Sequence, residues 1–197
     1  MNGQVQKSYW EDKFKQLGPE LATPNEQRTA SGAPGVRYWQ QQVDYKMNIR
    51  IEDATQKLYG EEWITYHNLS PDGLTYLWVQ LDQNNMSMES DAQKIEQNRI
   101  NDKMSANDIR DLQPWYDGGF KVMEVKDKAG KDLRTTINQT MMRIDLPFTL
   151  KPGELFSFKI KWWYNINDRI RLGGRSGYEY FEQDKNYLYT MAQFYPR

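Results

Sequence analysis

A single histidine, His67, and the absence of cysteine limit the metal and nucleophile chemistry open to these 197 residues. A catalytic zinc takes three protein ligands, usually two or three of them imidazoles, and keeps a fourth position for water. His67 alone cannot supply that set. No H-E-x-x-H helix occurs either, with its two histidines one turn apart and a glutamate base between them. Lack of cysteine removes disulfides, thiolate zinc sites and a cysteine nucleophile, and fits either side of a membrane. Gly174-Arg175-Ser176-Gly177 misses the G-x-S-x-G spacing of a nucleophile elbow, and the sequence holds no phosphate loop or dinucleotide fingerprint. The chain by itself is therefore expected to bind no stoichiometric zinc and to hydrolyse no aminoacyl substrate.

Four weaker constellations remain. His67 stands between a strand and a turn and reads as a hydrogen-bonding strand-end residue rather than a ligand. Glu61 and Glu62 are adjacent, so on a strand they point to opposite faces and cannot act as paired acids; a solvated edge is the expected setting. Arg169, Arg171 and Arg175, with Gly173, Gly174 and Gly177, have the donors for an anion cradle. A mobile loop, or one ordered only against another domain, is the preferred reading. Trp162-Trp163-Tyr164 has the aromatic faces of a stacking platform, but alternation sends Trp162 and Tyr164 into the core and leaves only Trp163 outside.

The elements that must position these residues are mostly strands. Val43, Tyr45, Met47, Ile49 and Ile51 alternate with Asp44, Lys46, Asn48, Arg50 and Glu52, the period of a strand buried on one face. That register predicts that Ile49→Asp unfolds the domain and Arg50→Asp does not. Asp53–Gln56 turns into Trp63–Tyr66, Asn68–Gly73 turns again, and Leu74–Leu81 reads as the third strand of a meander. Residues 86–117 break the rhythm as a partly helical insertion, with Ser105-Ala106-Asn107-Asp108 resembling a capping box before Ile109 and Leu112. Strand character returns at Phe120–Val125 and from Met141 to Leu146, where Pro147 is expected to stop it. Phe156, Phe158, Ile160, Trp162 and Tyr164 share one face of a second core strand. Tyr178–Phe181 and Tyr187–Tyr189 read as a closing hairpin. Residues 1–35 form an extension in which Trp10, Phe14 and Leu17 have helical spacing. The fold class is mainly β: antiparallel sheets in a sandwich or saddle, with a short, partly helical insertion.

Composition narrows the partners. Aromatics at 14% compensate for a hydrophobic content of only 38%, so few, large side chains can build the core. Lys plus Arg is 26 against 27 for Asp plus Glu, so no net field favours nucleic acid. The first residues lack the apolar run of a signal peptide, and no transmembrane stretch follows.

Three segments, Pro34–Gln41, Gly60–Asn68 and Leu74–Asn84, together resemble the amino-terminal β-domain of aminopeptidase N-type zinc metallopeptidases, the gluzincin family, and its bacterial branch in particular. Leu150–Glu154, Gly174–Glu179 and Ala192–Arg197 fit the same branch, in order, over about residues 20–197. The resemblance implies a non-catalytic domain over 36–197, incomplete at its C-terminal end, preceding a thermolysin-like catalytic domain. It implies zinc in the parent enzyme and none in this chain, a peptide substrate, and an export route left open. It also implies that Gln193 borders the pocket for the substrate's amino-terminal residue, with Tyr187, Tyr189, Phe194 and Tyr195 near the cleft. Family members often carry an acidic residue where this chain has Tyr195. Outside the resemblance, the same residues allow a free-standing β-sandwich that binds peptide or carbohydrate through exposed aromatics.

Overall fold

The computed structural model describes residues 24–95, 103–106 and 116–197. The expected helix around Trp10, and the expected capping box from Asn107 on with Ile109 and Leu112, lie outside the described residues. The chain divides into two compact units, Met1–Gln40 and Gln41–Arg197. In the first, a turn pairs Arg28 with Pro34, and the Arg28 guanidinium lies 4.4 Å from the Tyr38 ring centre.

The second unit is mainly antiparallel sheet. Strands β1 (Gln42–Glu52), β2 (Lys57–His67), β7 (Leu155–Asn165) and β4 (Lys121–Asp127) make one four-stranded sheet in the order β1-β2-β7-β4. Strands β3 (Leu74–Gln80), β6 (Met141–Leu150) and β5 (Thr135–Asn138) make a second, β3-β6-β5. A separate hairpin joins β8 (Gly177–Phe181) to β9 (Asn186–Thr190). The helical elements bounded within the described residues are a 3-10 turn (Asp82–Met86), α1 (Asp91–Ile95) and one turn, α2 (Arg169–Leu172), and Ala106 is helical too. No described helix is long and apolar enough to cross a membrane.

Alternation builds the core as expected along β7: Phe156, Phe158, Ile160, Trp162 and Tyr164 are all buried. They join Leu58 and Ile64 of β2 and Leu77, Val79, Met142, Ile144 and Leu150 of the second sheet in one apolar cluster. Opposite that face, Glu61 and Glu124 interleave with Lys159 and Lys161 in a cross-strand ladder of ion pairs spanning 3.1 to 3.7 Å. Glu124 is held below, and Lys161 above, its ordinary pKa range there; Lys161 is raised chiefly by its hydrogen bond with Glu61. The ladder marks a solvated face.

Three expectations need correction. Leu74–Leu81 does not extend a meander: after the Asn68–Gly73 turn the chain leaves the first sheet, and β3 pairs with β6 in the second. Asn68 fixes that crossing, its buried amide donating to Asp72 O (2.7 Å) and Leu150 O (2.9 Å). Pro147 does not stop β6, because it falls where the β3–β6 register slips between Leu74 and Tyr76, a bulge that asks for no ladder donor. Finally, β1 is an edge strand, and Ile49 and Ile51 are exposed at 39% and 38%. Ile49→Asp is therefore expected to leave the domain folded, whereas Ile160→Asp, at a wholly buried position, unfolds it. Thermal melts of the two variants check this; equal losses would contradict the edge placement.

Candidate functional site

The C-terminal segment, the loop after α2 and the 3-10 turn converge on one open cleft of about 150 Å³. Its construction starts at Asp168, whose Oδ1 accepts from Ile170 N (3.0 Å) and Arg171 N (3.1 Å) and so caps α2. Buried Asn167 donates to Ser176 O at 2.7 Å and Gly173 O at 3.4 Å, folding the glycine-rich loop back on itself. Gly173 and Gly174 supply the positive φ values, 72° and 95°, that this reversal requires. The Ser176 hydroxyl then donates to Ala192 O (3.1 Å) and accepts from Ala192 N (2.9 Å), which staples the loop to the chain end.

Gln193 follows at once. It is exposed, its backbone is left-handed (φ 52°), and its Oε1 accepts from Arg175 Nη2 at 2.8 Å. The other non-glycine residues with positive φ, Gln56, Gln139 and Lys185, sit in hairpin turns where such geometry is ordinary. Gln193 has no hairpin to account for its conformation. Beyond it, Phe194 and Tyr195 pack partly buried against the core, and Tyr195 meets Tyr45 edge-on at 5.5 Å. Pro196 is buried. Arg197 exchanges backbone bonds with Gln80 on the free edge of β3, while its guanidinium binds Asp82 Oδ2 at 2.8 Å. The terminal aromatics of this segment are thus core-packed rather than stranded at the surface. The Tyr189 hydroxyl likewise reaches Asp53 Oδ1 at 2.7 Å, tying the β8–β9 hairpin to the β1–β2 turn.

The three arginines do not gather around one anion. Arg169 pairs with Glu179, and Arg175 is turned to Gln193. His67 ends β2 with its Nε2 2.7 Å from Asp44 Oδ2, a cross-strand pair at the surface that holds Asp44 below the usual carboxylate range, after the larger effect of its Gln42 bond. Trp163 lies on the outer face, 6.3 Å from the Tyr59 ring with Lys57 over it at 5.1 Å. No group of three His, Cys, Asp or Glu side chains among the described residues is placed to hold a metal ion.

Glu61 and Glu62 face opposite sides of β2 as expected, but the solvated edge expected for both holds only for Glu61. Glu62 is instead fully buried, flanked in register by Met47 and Ile160, and neither carboxylate oxygen has a hydrogen-bond partner. Burial pushes its pKa up to about 9. The signal was present: Leu58, Gly60, Glu62 and Ile64 share one phase. Gln83, also buried, was missed as well, because nothing in the sequence sets the 3-10 turn against the Arg175 loop.

No protein-family model and no curated protein sequence matches the chain. Among solved structures it is similar to the M1 zinc metallopeptidase of Deinococcus radiodurans. Against a mutant bound to a Tyr-ser-ala substrate the identity is 15% and the TM-score 0.40, over 70% of this chain and 24% of that one. Against the M1 zinc metallopeptidase described without a mutation the identity is 14%, with the same TM-score and coverage. A two-domain M1 zinc metallopeptidase mutant bound to L-tryptophan matches at 13% identity and TM-score 0.40, over 68% and 23% of the two chains. The chain thus spans about a quarter of the length of the structures it matches.

Proposed function

We propose that this chain is a non-catalytic N-terminal β-domain of a zinc metallo-aminopeptidase, with residues 1–35 as an extension and 36–197 as the domain proper. Its part is to pack on a thermolysin-like catalytic domain and border the cleft that receives the peptide's amino terminus. The zinc would be held by that catalytic domain and would supply a metal-activated water for removal of the amino-terminal residue, while this chain's part is positioning.

The observation that carries this reading is the ordered series of family-like segments ending in Ala192–Arg197, with Gln193 at the matching position. Its presentation is consistent with such a role: an exposed amide in a left-handed backbone, braced through Oε1 by Arg175. Side chains held by a rigid neighbour position a substrate better than free ones. In this chain Gln193 would offer its Nε2 hydrogens to a substrate carbonyl while Arg175 keeps the amide from rotating.

The test joins the domain to a downstream catalytic domain and assays aminoacyl substrates. Gln193→Ala is expected to lower kcat/KM about tenfold and to change the preference among first residues, with zinc content unaltered. Unchanged turnover and preference would remove Gln193 from the cleft. A second reading, a peptide- or carbohydrate-binding module, is favoured by one surface feature: Tyr76 and Trp78 are 41% and 51% exposed, 6.2 Å apart, with the Arg143 guanidinium 4.1 Å over Tyr76. Saturable quenching of Trp78 fluorescence by oligosaccharide, lost in Trp78→Ala, would support it.

A further inference from the structure

Strand β1 leaves one whole edge of the four-stranded sheet without a neighbouring strand among the described residues. Its 11 residues run in unbroken register with β2 and contain no proline, glycine or bulge, devices that ordinarily blunt an edge strand. The direction of its backbone groups follows from β2. Asn68 N donates to Glu154 O at 2.9 Å and Gln56 O accepts from Ile166 N at 2.8 Å, so even-numbered residues along β2 turn their backbone groups toward β7 and odd-numbered ones toward β1. Through the β1–β2 register, the even-numbered residues of β1 meet those odd ones. Val43, Tyr45, Met47, Ile49 and Ile51 therefore aim their N–H and C=O groups at the open side, where no described backbone group receives them.

The side chains along that edge specify what pairs with it. In an antiparallel pair of two such edges the free groups meet only when odd-numbered residues stand opposite odd-numbered ones. For a second copy of β1, complete overlap sets Gln42 opposite Glu52 and centres a two-fold axis on Met47. On the outer face this places Asp44 opposite Arg50 on both sides of the axis, and Lys46 opposite Asn48. Both charged side chains are mostly exposed, Asp44 beside His67 and Arg50 beside Glu52. On the inner face Tyr45 stands opposite Ile49 and Val43 opposite Ile51. The two isoleucines that the second sheet leaves 39% and 38% exposed thus each gain an apolar cross-strand neighbour. A slide of two residues one way sets Lys46 opposite Arg50 and Asp44 opposite Glu52; the other way it sets Lys46 opposite itself. Like charges directly opposite are destabilising, so among the longest overlaps only the complete one matches charge with charge.

We propose that two copies of this chain pair antiparallel along β1, joining their four-stranded sheets into one continuous sheet. The proposal stands apart from the function proposed above, since it uses neither Gln193 nor a catalytic domain. A single strand edge is a small interface beside the roughly 1,200–2,000 Å² of stable complexes, so the dimer is expected to be reversible, with a Kd on the order of 10–100 µM.

The experiment is sedimentation velocity of the full chain over about 1–300 µM, a range that brackets that Kd. The wild type is expected to pass from monomer to dimer across it. Met47→Pro removes an N–H that faces the open edge and none that bonds β2, so this variant is expected to stay monomeric throughout. Asp44→Arg and Arg50→Asp each set like charges opposite one another in the dimer, and each alone should weaken association at least tenfold. Mixed in equal amounts they should restore it, because each chain then meets opposite charge at both positions; that rescue reads the register itself. Melting curves show which variants are folded, and if Met47→Pro is not, the two charge variants, at exposed positions, decide. The proposal is overturned if the wild type remains monomeric over the whole range, if folded Met47→Pro dimerises as the wild type does, or if the mixture associates no more tightly than either charge variant alone. Failure on any of these leaves the turnover test of Gln193 standing, and failure of that test leaves the dimer standing.

Discussion

Replacing Glu62 with leucine is expected to stabilise the domain by about 3 kcal/mol at pH 7 and to flatten its dependence on pH. The carboxyl is wholly buried without a hydrogen-bond partner, and burial raises its pKa to about 9. In the unfolded chain a glutamate titrates near 4.5. Between these values the native state keeps a proton that the unfolded state has released. Because the native state binds more protons, stability falls as pH rises through that window, by about 1.4 kcal/mol per unit, and levels off above about pH 9. The effect is largest on the alkaline side, opposite in sense to the carboxylate pairs that dominate acid unfolding. Tyr45 belongs to the same environment: burial first, then the nearby Glu62, push its hydroxyl up to about 12. Melting temperatures of wild type and Glu62→Leu at pH 5, 7 and 8.5 check the argument. Each kcal/mol moves Tm by about 2–4 °C in a chain of this size. The variant should melt roughly 10 °C above wild type at pH 7 and show a smaller gap at pH 5. A wild-type Tm that stays constant from pH 5 to 8.5 would contradict a lone buried carboxyl.

Gly60→Ala should destabilise by about 3 kcal/mol despite the better strand propensity of alanine. Gly60 stands opposite Trp162 in the β2–β7 register, and the indole of this buried residue occupies the space a side chain would fill. A Cβ at position 60 would come within 2.2 Å of Trp162 Cζ2 and 2.4 Å of Cε2. The ring cannot swing away cheaply, because Phe120 packs edge-on against it at 6.4 Å and the surrounding core is closed. The cost is therefore an overpacking cost, and it depends on the ring. A double-mutant cycle with Trp162→Leu isolates it: once the indole is gone, Gly60→Ala should cost less than about 1 kcal/mol. Equal costs with and without the indole would mean that the clash is not with Trp162.

How much was legible in advance depends on the range of the interaction. Along β7 the apolar phase is continuous and both faces have distinct partners, so alternation alone identified Phe156 to Tyr164 as core and Trp163 as outer face. The same rule applied to β1 overreached. Alternation states which side of a strand a residue faces, not whether another layer lies over that stretch, and the second layer leaves Ile49 and Ile51 uncovered. Glu62 could have been read from its phase with Leu58 and Ile64, but a carboxylate inside a core runs against its solvation cost, so polarity outweighed register. The hairpin of Tyr178–Tyr189 was local in sequence and was found. The β3–β6 pairing, the slip that admits Pro147, and the meeting of Gln83, Asn167, Arg175 and Gln193 depend on residues far apart in the chain. By itself the sequence determined strand phase, turn positions, the want of a zinc ligand set and the resemblance that singled out Gln193. Only the tertiary structure decided which strands share a sheet, which apolar faces are covered and which amides share a cleft. Local sterics and side-chain period act within a few residues, whereas layer packing and loop closure depend on the whole chain's placement.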